Sequence, residues 1–213
     1  MSNRFIEDMR DKLAGRTKRE LINGMITRSP HAAAAEKTLV ALEVYPLFLL
    51  MLANDFPTKV WILDRDEKPS SAEILNDAAR NKRWHSARIC IDDCDGVTEF
   101  IDGYVAVVVS WKTLLAMRHE FAHALTTFFS PQTRHKLEHL YREAKMRGSF
   151  MEPLAAESIG EYVSCALSYY FFPDLREELQ KVDPDLHDLI DGLLREAEEI
   201  SLLISQPSEV PVN

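Results

Sequence analysis

The feature that most constrains this chain is the segment His119-Glu120-Phe121-Ala122-His123 near its middle. On an α-helix, residues four apart lie on one face, because four steps of about 100° nearly complete a turn. Two imidazoles at that spacing can share a metal ion, and Glu120 lies at the edge of the same face. This is the H-E-x-x-H pattern, in which the histidines bind zinc and the glutamate takes a proton from a water on the metal. It predicts His119 and His123 as metal ligands and Glu120 as the general base.

The flanking sequence places this segment on a helix that follows a strand. The run 105–109 is dominated by valine and predicts a strand. Ser110 is positioned to cap a helix over 111–128, and Pro131 follows its end. A strand beside a metal can hold an extended peptide through backbone hydrogen bonds, so we predict that a peptide substrate lies along the strand near 104–109.

A catalytic zinc site needs three protein ligands and one open position, so a further ligand must come from elsewhere in the chain. Residues 153–170 predict an apolar helix with Pro153 in its first turn. Glu157 and Glu161 share one face of that helix, and carboxylates in apolar surroundings are costly to bury unpaired. We therefore predict Glu157 as the third ligand and Glu161 as the acceptor of the outer N–H of one histidine ligand. The reverse assignment of the two glutamates stays open.

The remaining sequence pattern predicts a single α+β domain. Apolar residues at helical spacing indicate one or two helices over 3–29 and a long helix over 31–54 with a kink at Pro46. Strands are predicted at 59–63, 86–91, 97–101 and 103–109, and further helices at 70–82, 132–146 and 183–205. We predict an N-terminal helical section over 1–55, a catalytic core with a small mixed or antiparallel sheet over 56–206, and a flexible tail over 207–213.

Composition and charge argue against several classes of protein. The formal net charge of -9 argues against a general nucleic-acid-binding protein. The three cysteines form no disulfide framework, which favours a reducing compartment. The most apolar window, 39–53, contains Glu43 and Pro46 and is too short to span a membrane. Because residues 1–8 lack the apolar core of a signal peptide, we expect the protein to be cytoplasmic or exported without a cleaved signal peptide.

Three segments carry a resemblance to known proteins: His119-Glu-Phe-Ala-His-Ala-Leu, Glu157-Ser-Ile-Gly-Glu161-Tyr-Val-Ser and Tyr169-Tyr-Phe-Phe172. The sequence over about 104–190 is similar to the catalytic domain of anthrax toxin lethal factor and to the bacterial Pro-Pro endopeptidases. Those proteins are zinc proteases with an H-E-x-x-H helix and a downstream E-x-x-x-E helix. The resemblance implies a zincin-like fold, one catalytic Zn2+ ion, hydrolysis of peptide bonds and Glu157 as the third zinc ligand.

The chain departs from this family at one position. In the family, a tyrosine seven residues before the ligating glutamate donates a hydrogen bond to the developing oxyanion, and with Glu157 as ligand that position is Phe150. Phenylalanine has no hydroxyl, and an oxyanion donor is worth about 3 kcal/mol. Tyr141, Tyr162 and His139 are the candidates for a substitute donor, and the sequence does not rank them.

These observations predict a zinc-dependent metalloendopeptidase that acts on a peptide or protein in extended conformation. Two alternatives stay open. The Phe150 position favours a metal-binding module that recognises a peptide or a partner protein with weak catalysis or none. The other is a toxin-like or regulatory zinc protease with one dedicated protein target, which the expected absence of a signal peptide would suit.

Overall fold

Helices surround a small sheet in this protein, whose computed structural model describes residues 3–81, 83–84 and 89–206. The helices are α1 (Asn3–Leu13), α2 (Lys18–Met25), α3 (Ala32–Leu42), α4 (Leu47–Asp55), α5 (Asp77–Arg80), α6 (Leu114–Leu125), α7 (Pro131–Arg147), α8 (Ile159–Tyr169), α9 (Pro173–Val182) and α10 (Pro184–Ser205). The strands are β1 (Ile26–Arg28), β2 (Thr58–Leu63), β3 (Arg83–Trp84), β4 (Ile89–Cys90), β5 (Gly96–Ile101) and β6 (Tyr104–Ser110). The predicted α+β class is confirmed.

The main sheet has four strands in the order β1-β2-β6-β5. The first three run parallel, whereas β5 runs antiparallel to β6 and forms one edge of the described sheet. β5 and β6 form the predicted hairpin, and Gly103 in its turn has a φ of +88°, which glycine adopts without steric cost. β3 and β4 form a separate antiparallel pair. The main sheet is therefore small and mixed, in agreement with the prediction.

β6 is buried on both faces, which explains its valine-rich sequence. Its odd-numbered valines join a hydrophobic cluster formed largely by α1 to α4 and α6, and Ala106 and Val108 join a cluster on the opposite face. Successive side chains of a strand point to opposite faces, so a strand covered on both faces reads as a nearly continuous apolar run. The helices within residues 3–55 thus share one hydrophobic core with the sheet.

The helix that carries the two histidines, α6, begins later than predicted. Thr113 is its N-cap, with an extended backbone (φ -127°, ψ 146°) and a side chain that accepts a hydrogen bond from the Ala116 N–H. Ser110, the predicted cap, is the last residue of β6, and its N–H donates to the Asp95 carbonyl over 2.7 Å. Ser110 does not cap the helix as predicted, because β6 continues through Ser110 and its backbone is paired in the sheet.

Arg118 anchors α6 to the elements behind it. Its Nε donates to the Ala41 carbonyl of α3 at 3.0 Å, and its Nη1 donates to the Phe171 carbonyl, just after α8, at 3.3 Å. The Tyr45 hydroxyl donates in turn to the Arg118 carbonyl at 2.9 Å. Adjacent residues of a helix point about 100° apart, so fixing Arg118 also fixes the direction of His119.

The long helix predicted over 31–54 is two helices, α3 and α4, and Pro46 lies between them. Pro46 is the N-cap of α4 and has an extended ψ of 142°. Proline lacks an N–H and disfavours the helical conformation in the residue before it, so the break is complete where a kink was predicted.

The region between β2 and β5 was predicted less well. The helix predicted over 70–82 is wrong for most of its length, because Ala72 is extended (φ -67°, ψ 121°) after a 3-10 turn and Asn76 then caps the short α5. β1 and α9 were not predicted. Positions 82, 86–88 and 207–213 of the predicted helix, strand and tail lie outside the described residues. No helix within the described ranges is both long and apolar enough to cross a membrane.

Candidate metal centre and active site

Three side chains from α6 and α8 converge on one point. His119 Nε2 lies 3.0 Å from Glu161 Oε2 and 3.1 Å from His123 Nε2, and His123 Nε2 lies 3.4 Å from Glu161 Oε2. Nitrogen and oxygen ligands lie about 2.0–2.2 Å from tetrahedral zinc, so they lie about 3.4 Å from one another. The three side chains are 13%, 19% and 18% exposed, so solvent can still reach them. This triangle of His119, His123 and Glu161 has donor atoms that lie close enough together to hold a metal ion.

The charges within this triangle stabilise one another. Burial tends to raise the pKa of the Glu161 carboxyl, but hydrogen bonds to His119 and His123, and their positive charge, outweigh burial and hold that pKa well below its usual range. Burial tends to lower the pKa of His119, but its hydrogen bond to Glu161 and the nearby carboxylates outweigh burial and raise that pKa. Glu161 is therefore an ionised acceptor, as a metal ligand must be.

Glu161, and not Glu157, lies close to the two histidines. The predicted helix over 153–170 is interrupted: a 3-10 turn ends at Ala156, and Ser158 has an extended backbone (φ -153°, ψ 162°). Ser158 is the N-cap of α8, and its Oγ accepts a hydrogen bond from the Glu161 N–H at 3.1 Å. Glu157 thus precedes the helix and does not share a face with Glu161. It is exposed and lies outside the triangle.

The contacts of Glu161 also differ from those predicted. It contacts the Nε2 atoms of both histidines, which are the atoms that converge, and not an outer Nδ1 atom. Within the described part of the chain, His119, His123 and Glu161 are the one group of three metal-ligating side chains close enough to hold an ion.

Glu120 is held against the edge strand β5. Thr98 Oγ1 donates to the Glu120 carbonyl at 2.7 Å and lies 3.0 Å from Glu120 Oε2. Burial raises the pKa of the Glu120 carboxyl, and the nearby histidines and the Thr98 hydrogen bond offset part of that rise. A carboxylate with a raised pKa and a fixed orientation is suited to accept a proton near neutral pH. Glu120 is the predicted general base, whereas Thr98 was not predicted as its partner.

Gly96 provides the room for Glu120. A Cβ atom at residue 96 would lie 2.6 Å from Glu120 Cγ and 2.9 Å from the Val108 carbonyl oxygen, both shorter than real Cβ contacts. The carbonyl belongs to the paired strand β6 and cannot turn aside. Only glycine fits at this position without moving either Glu120 or the strand.

Gly96→Ala is therefore expected to lower the free energy of unfolding by about 1–3 kcal/mol, the usual cost of overpacking. The measurement is urea unfolding followed by circular dichroism. The matched control is Gly192→Ala on α10, where no atom lies within 4 Å of the added Cβ. In that exposed helical position, alanine should raise the free energy of unfolding by about 0.5–1 kcal/mol. Equal stability of Gly96→Ala and the wild type would show that Glu120 is not tightly packed on β5.

The outer nitrogen of His119 faces a thiol. His119 Nδ1 lies 3.8 Å from Cys165 Sγ, and Cys165 Sγ donates to Glu152 Oε1 at 3.1 Å. The Tyr169 hydroxyl donates to the same carboxylate oxygen. Burial and the Glu152 charge raise the pKa of the Cys165 thiol well above its ordinary value, so the sulfur keeps its proton. Cys165 was not predicted as a site residue, although its position four residues after Glu161 places both on one face of a helix.

The residues predicted as oxyanion donors are engaged elsewhere. The Tyr141 hydroxyl donates to the Ala156 carbonyl at 2.8 Å, and the Tyr162 hydroxyl donates to Asp183 Oδ2 at 2.5 Å. His139 is 65% exposed on α7 and lies 3.4 Å from Glu143, and Phe150 packs edge-on against the Tyr162 ring.

With Glu161 in place of Glu157 as the candidate ligand, the seven-residue offset of the resembling family falls on Leu154 instead of Phe150. Leucine also has no hydroxyl. The tyrosine of the resembling family is therefore missing whether Glu157 or Glu161 is taken as the candidate ligand.

The strand predicted to carry a substrate, β6, lies inside the sheet. It pairs with β2 on one side and with β5 on the other, so its backbone hydrogen-bonding groups are occupied. The outer strand on this side of the described sheet is β5, which also contacts Glu120 through Thr98. The prediction failed because the order of strands in a sheet depends on contacts that are distant in sequence.

Comparison with known proteins identifies the fold. No protein-family model matches the sequence, and no curated protein matches it. The solved structure of the Pro-Pro endopeptidase PPEP-2 from Paenibacillus alvei is similar, with a TM-score of 0.59 at 16% sequence identity. The likeness covers 81% of this chain and 99% of that chain. The chain therefore has the α+β, zincin-like fold of a Pro-Pro endopeptidase structure, as the resemblance implied.

Proposed function

We propose that this protein is a zinc-dependent metalloendopeptidase in which His119, His123 and Glu161 hold the zinc ion. The observation that carries the proposal is the triangle of their donor atoms, with sides of 3.0, 3.1 and 3.4 Å. The structural likeness to an endopeptidase supports the same class of reaction. Zinc, when bound, acidifies a coordinated water and polarises a substrate carbonyl.

Glu120 is proposed as the residue that moves the proton. Its Oε2 is oriented by Thr98, and its raised pKa suits a group that accepts a proton from water and then passes it to the leaving amine. It is not part of the triangle, so it remains available for this transfer.

β5 is proposed as the strand that aligns the substrate. An extended peptide can pair with the outer edge of a sheet through main-chain hydrogen bonds, and β5 provides that edge next to Glu120. Phe100 is 56% exposed on this strand and lies on the same face as Thr98, two residues away. It offers an apolar contact to a side chain of the bound peptide.

A second candidate function is metal-dependent recognition of a peptide or partner protein with weak catalysis or none. The observation that favours it is the absence of a hydroxyl at both family offsets, Phe150 and Leu154. The loss of an oxyanion donor typically lowers kcat by about 10²–10³-fold.

A peptide-library digest separates the two functions. We expect the zinc-loaded protein to cleave a subset of peptides, cleavage to stop when a chelator removes the metal, and added zinc to restore it. Products are identified by mass spectrometry, and zinc content is measured on the same sample by elemental analysis. Bound zinc without cleavage of any peptide would favour the second function. A protein that binds no zinc would contradict both.

A further inference from the structure

The ring of His119 is held from both sides by one segment of the chain. On its Nε2 side lies Glu161, at 3.0 Å, and on its Nδ1 side lies Cys165 Sγ, at 3.8 Å, within hydrogen-bonding range for sulfur. Both residues belong to α8 and are four positions apart, so they share a face of that helix. Glu161 is already assigned to the proposed zinc site, whereas Cys165 has no role in it.

Cys165 and Tyr169 are buried side chains that both contact Glu152, which is partly exposed. The thiol donates to Glu152 Oε1 at 3.1 Å, and the Tyr169 hydroxyl donates to the same oxygen. Cys165 is 1% exposed and Tyr169 is 7% exposed, so water has little access to this end of the carboxylate. Two hydrogen bonds to one carboxylate oxygen fix the orientation of Glu152.

The position of the proton on the His119 ring determines what Cys165 and Glu152 can do for that ring. A neutral imidazole that binds a metal through Nε2 carries its proton on Nδ1. In this structure that N–H faces Cys165 Sγ, a weak acceptor whose own S–H is directed at Glu152. The Cys165 sulfur thus links the Glu152 carboxylate to the His119 ring by two successive contacts.

We infer that Glu152, Cys165 and Tyr169 are positioning residues that hold His119 in the orientation and tautomer needed to bind a metal through Nε2. The inference rests on the proposed function. Metal-bound histidines usually donate their second N–H to a carboxylate, a carbonyl or a water. Here the acceptor is a thiol, and Glu152 orients that thiol through its S–H.

The test compares zinc affinity in Glu152→Gln, Cys165→Ala and the double variant, by competition with a chromophoric chelator. We expect each single change to weaken zinc binding by about 10-fold or more, as for other residues that support a metal ligand. Because the two residues act in series, the double variant should bind zinc about as tightly as Cys165→Ala alone. The matched control is Cys90→Ala, since the Cys90 thiol also donates to a carboxylate, that of Asp93 at 3.0 Å.

A spectroscopic readout separates positioning from packing. In the zinc-loaded wild type, NMR should detect a slowly exchanging proton on His119 Nδ1, and this signal should be lost in Cys165→Ala. Glu152→Gln changes no volume and lies on a partly exposed residue, so it keeps the test available if Cys165→Ala does not fold. A sulfur-to-metal charge-transfer band in the cobalt-loaded protein would place Cys165 on the metal and overturn the inference.

The zinc-affinity and NMR measurements on these variants can also contradict the positioning role. Unchanged zinc affinity and an unchanged Nδ1 proton in the variants would overturn the positioning role and leave the proposed function standing. Fully additive losses in the double variant would show that Glu152 and Cys165 do not act in series. A wild-type protein that binds no zinc would overturn the proposed function and this inference together.

Discussion

Replacing Glu120 with glutamine is expected to lower the rate of peptide cleavage by about 10²–10⁴-fold while leaving zinc bound. The amide has nearly the shape of the carboxylate, so it still fits against Gly96 and still accepts the hydrogen bond from Thr98. It cannot take up a proton at neutral pH. The change therefore removes proton transfer and keeps the packing of α6 on β5.

The measurement pairs kcat/KM, on a peptide that the wild type cleaves, with zinc content by elemental analysis. The control is Glu177→Gln on α9, whose carboxylate is 73% exposed and pairs with Lys181 on the surface. It should match the wild type in both measurements. Cleavage by Glu120→Gln at the wild-type rate would exclude Glu120 as the general base, whatever its zinc content.

Replacing Glu161 with alanine is expected to weaken zinc binding by more than about 100-fold, whereas Glu157→Ala should keep its zinc. Even residues that only support a ligand change metal affinity by about 10–100-fold, so removal of a ligand should exceed that range. Glu161 Oε2 lies 3.0 and 3.4 Å from the two histidine nitrogens, and Glu157 lies outside their group. The two variants make the same chemical change four residues apart.

Zinc content and chelator competition are measured on both variants, with circular dichroism to show that each is folded. Glu161→Gln is a useful third variant, because it keeps the volume and removes the charge. Equal zinc in the wild type and Glu161→Ala would remove Glu161 from the site. Loss of zinc from Glu157→Ala with retention in Glu161→Ala would restore the assignment made from the sequence.

The features that the sequence predicted correctly are local. The two histidines of the H-E-x-x-H segment fall on one face of α6 because a helix has a fixed rotation per residue. The β5–β6 hairpin follows from two β-rich runs around Gly103, and α10 follows from the cap Asp183 and the proline after it. Each of these signals is complete within a few neighbouring residues.

The choice between Glu157 and Glu161 illustrates where local reasoning ends. A spacing of four residues puts two side chains on one face only when the helix between them is continuous. Ser158 is extended and interrupts the predicted helix between Glu157 and Glu161. Ser158 then caps α8 and turns Glu161 toward the histidines. The N-cap Ser158 thus explains why Glu161, and not Glu157, lies beside the two histidines. The serine is visible in the sequence, but the extended conformation of its backbone (φ -153°, ψ 162°) is known only from the structure.

The sequence alone predicted the α+β fold class. It also predicted that His119, Glu120 and His123 lie on one helix with both histidines on the same face, because helix rotation and capping are properties of short segments. Only the tertiary structure shows which glutamate lies beside the histidines, that β5 and not β6 is the outer strand of the described sheet, and that Thr98 and Gly96 contact Glu120. It also placed Cys165 and Glu152 behind His119. These contacts join residues 13 to 46 positions apart, and their register is set by packing between elements, which no local periodicity encodes.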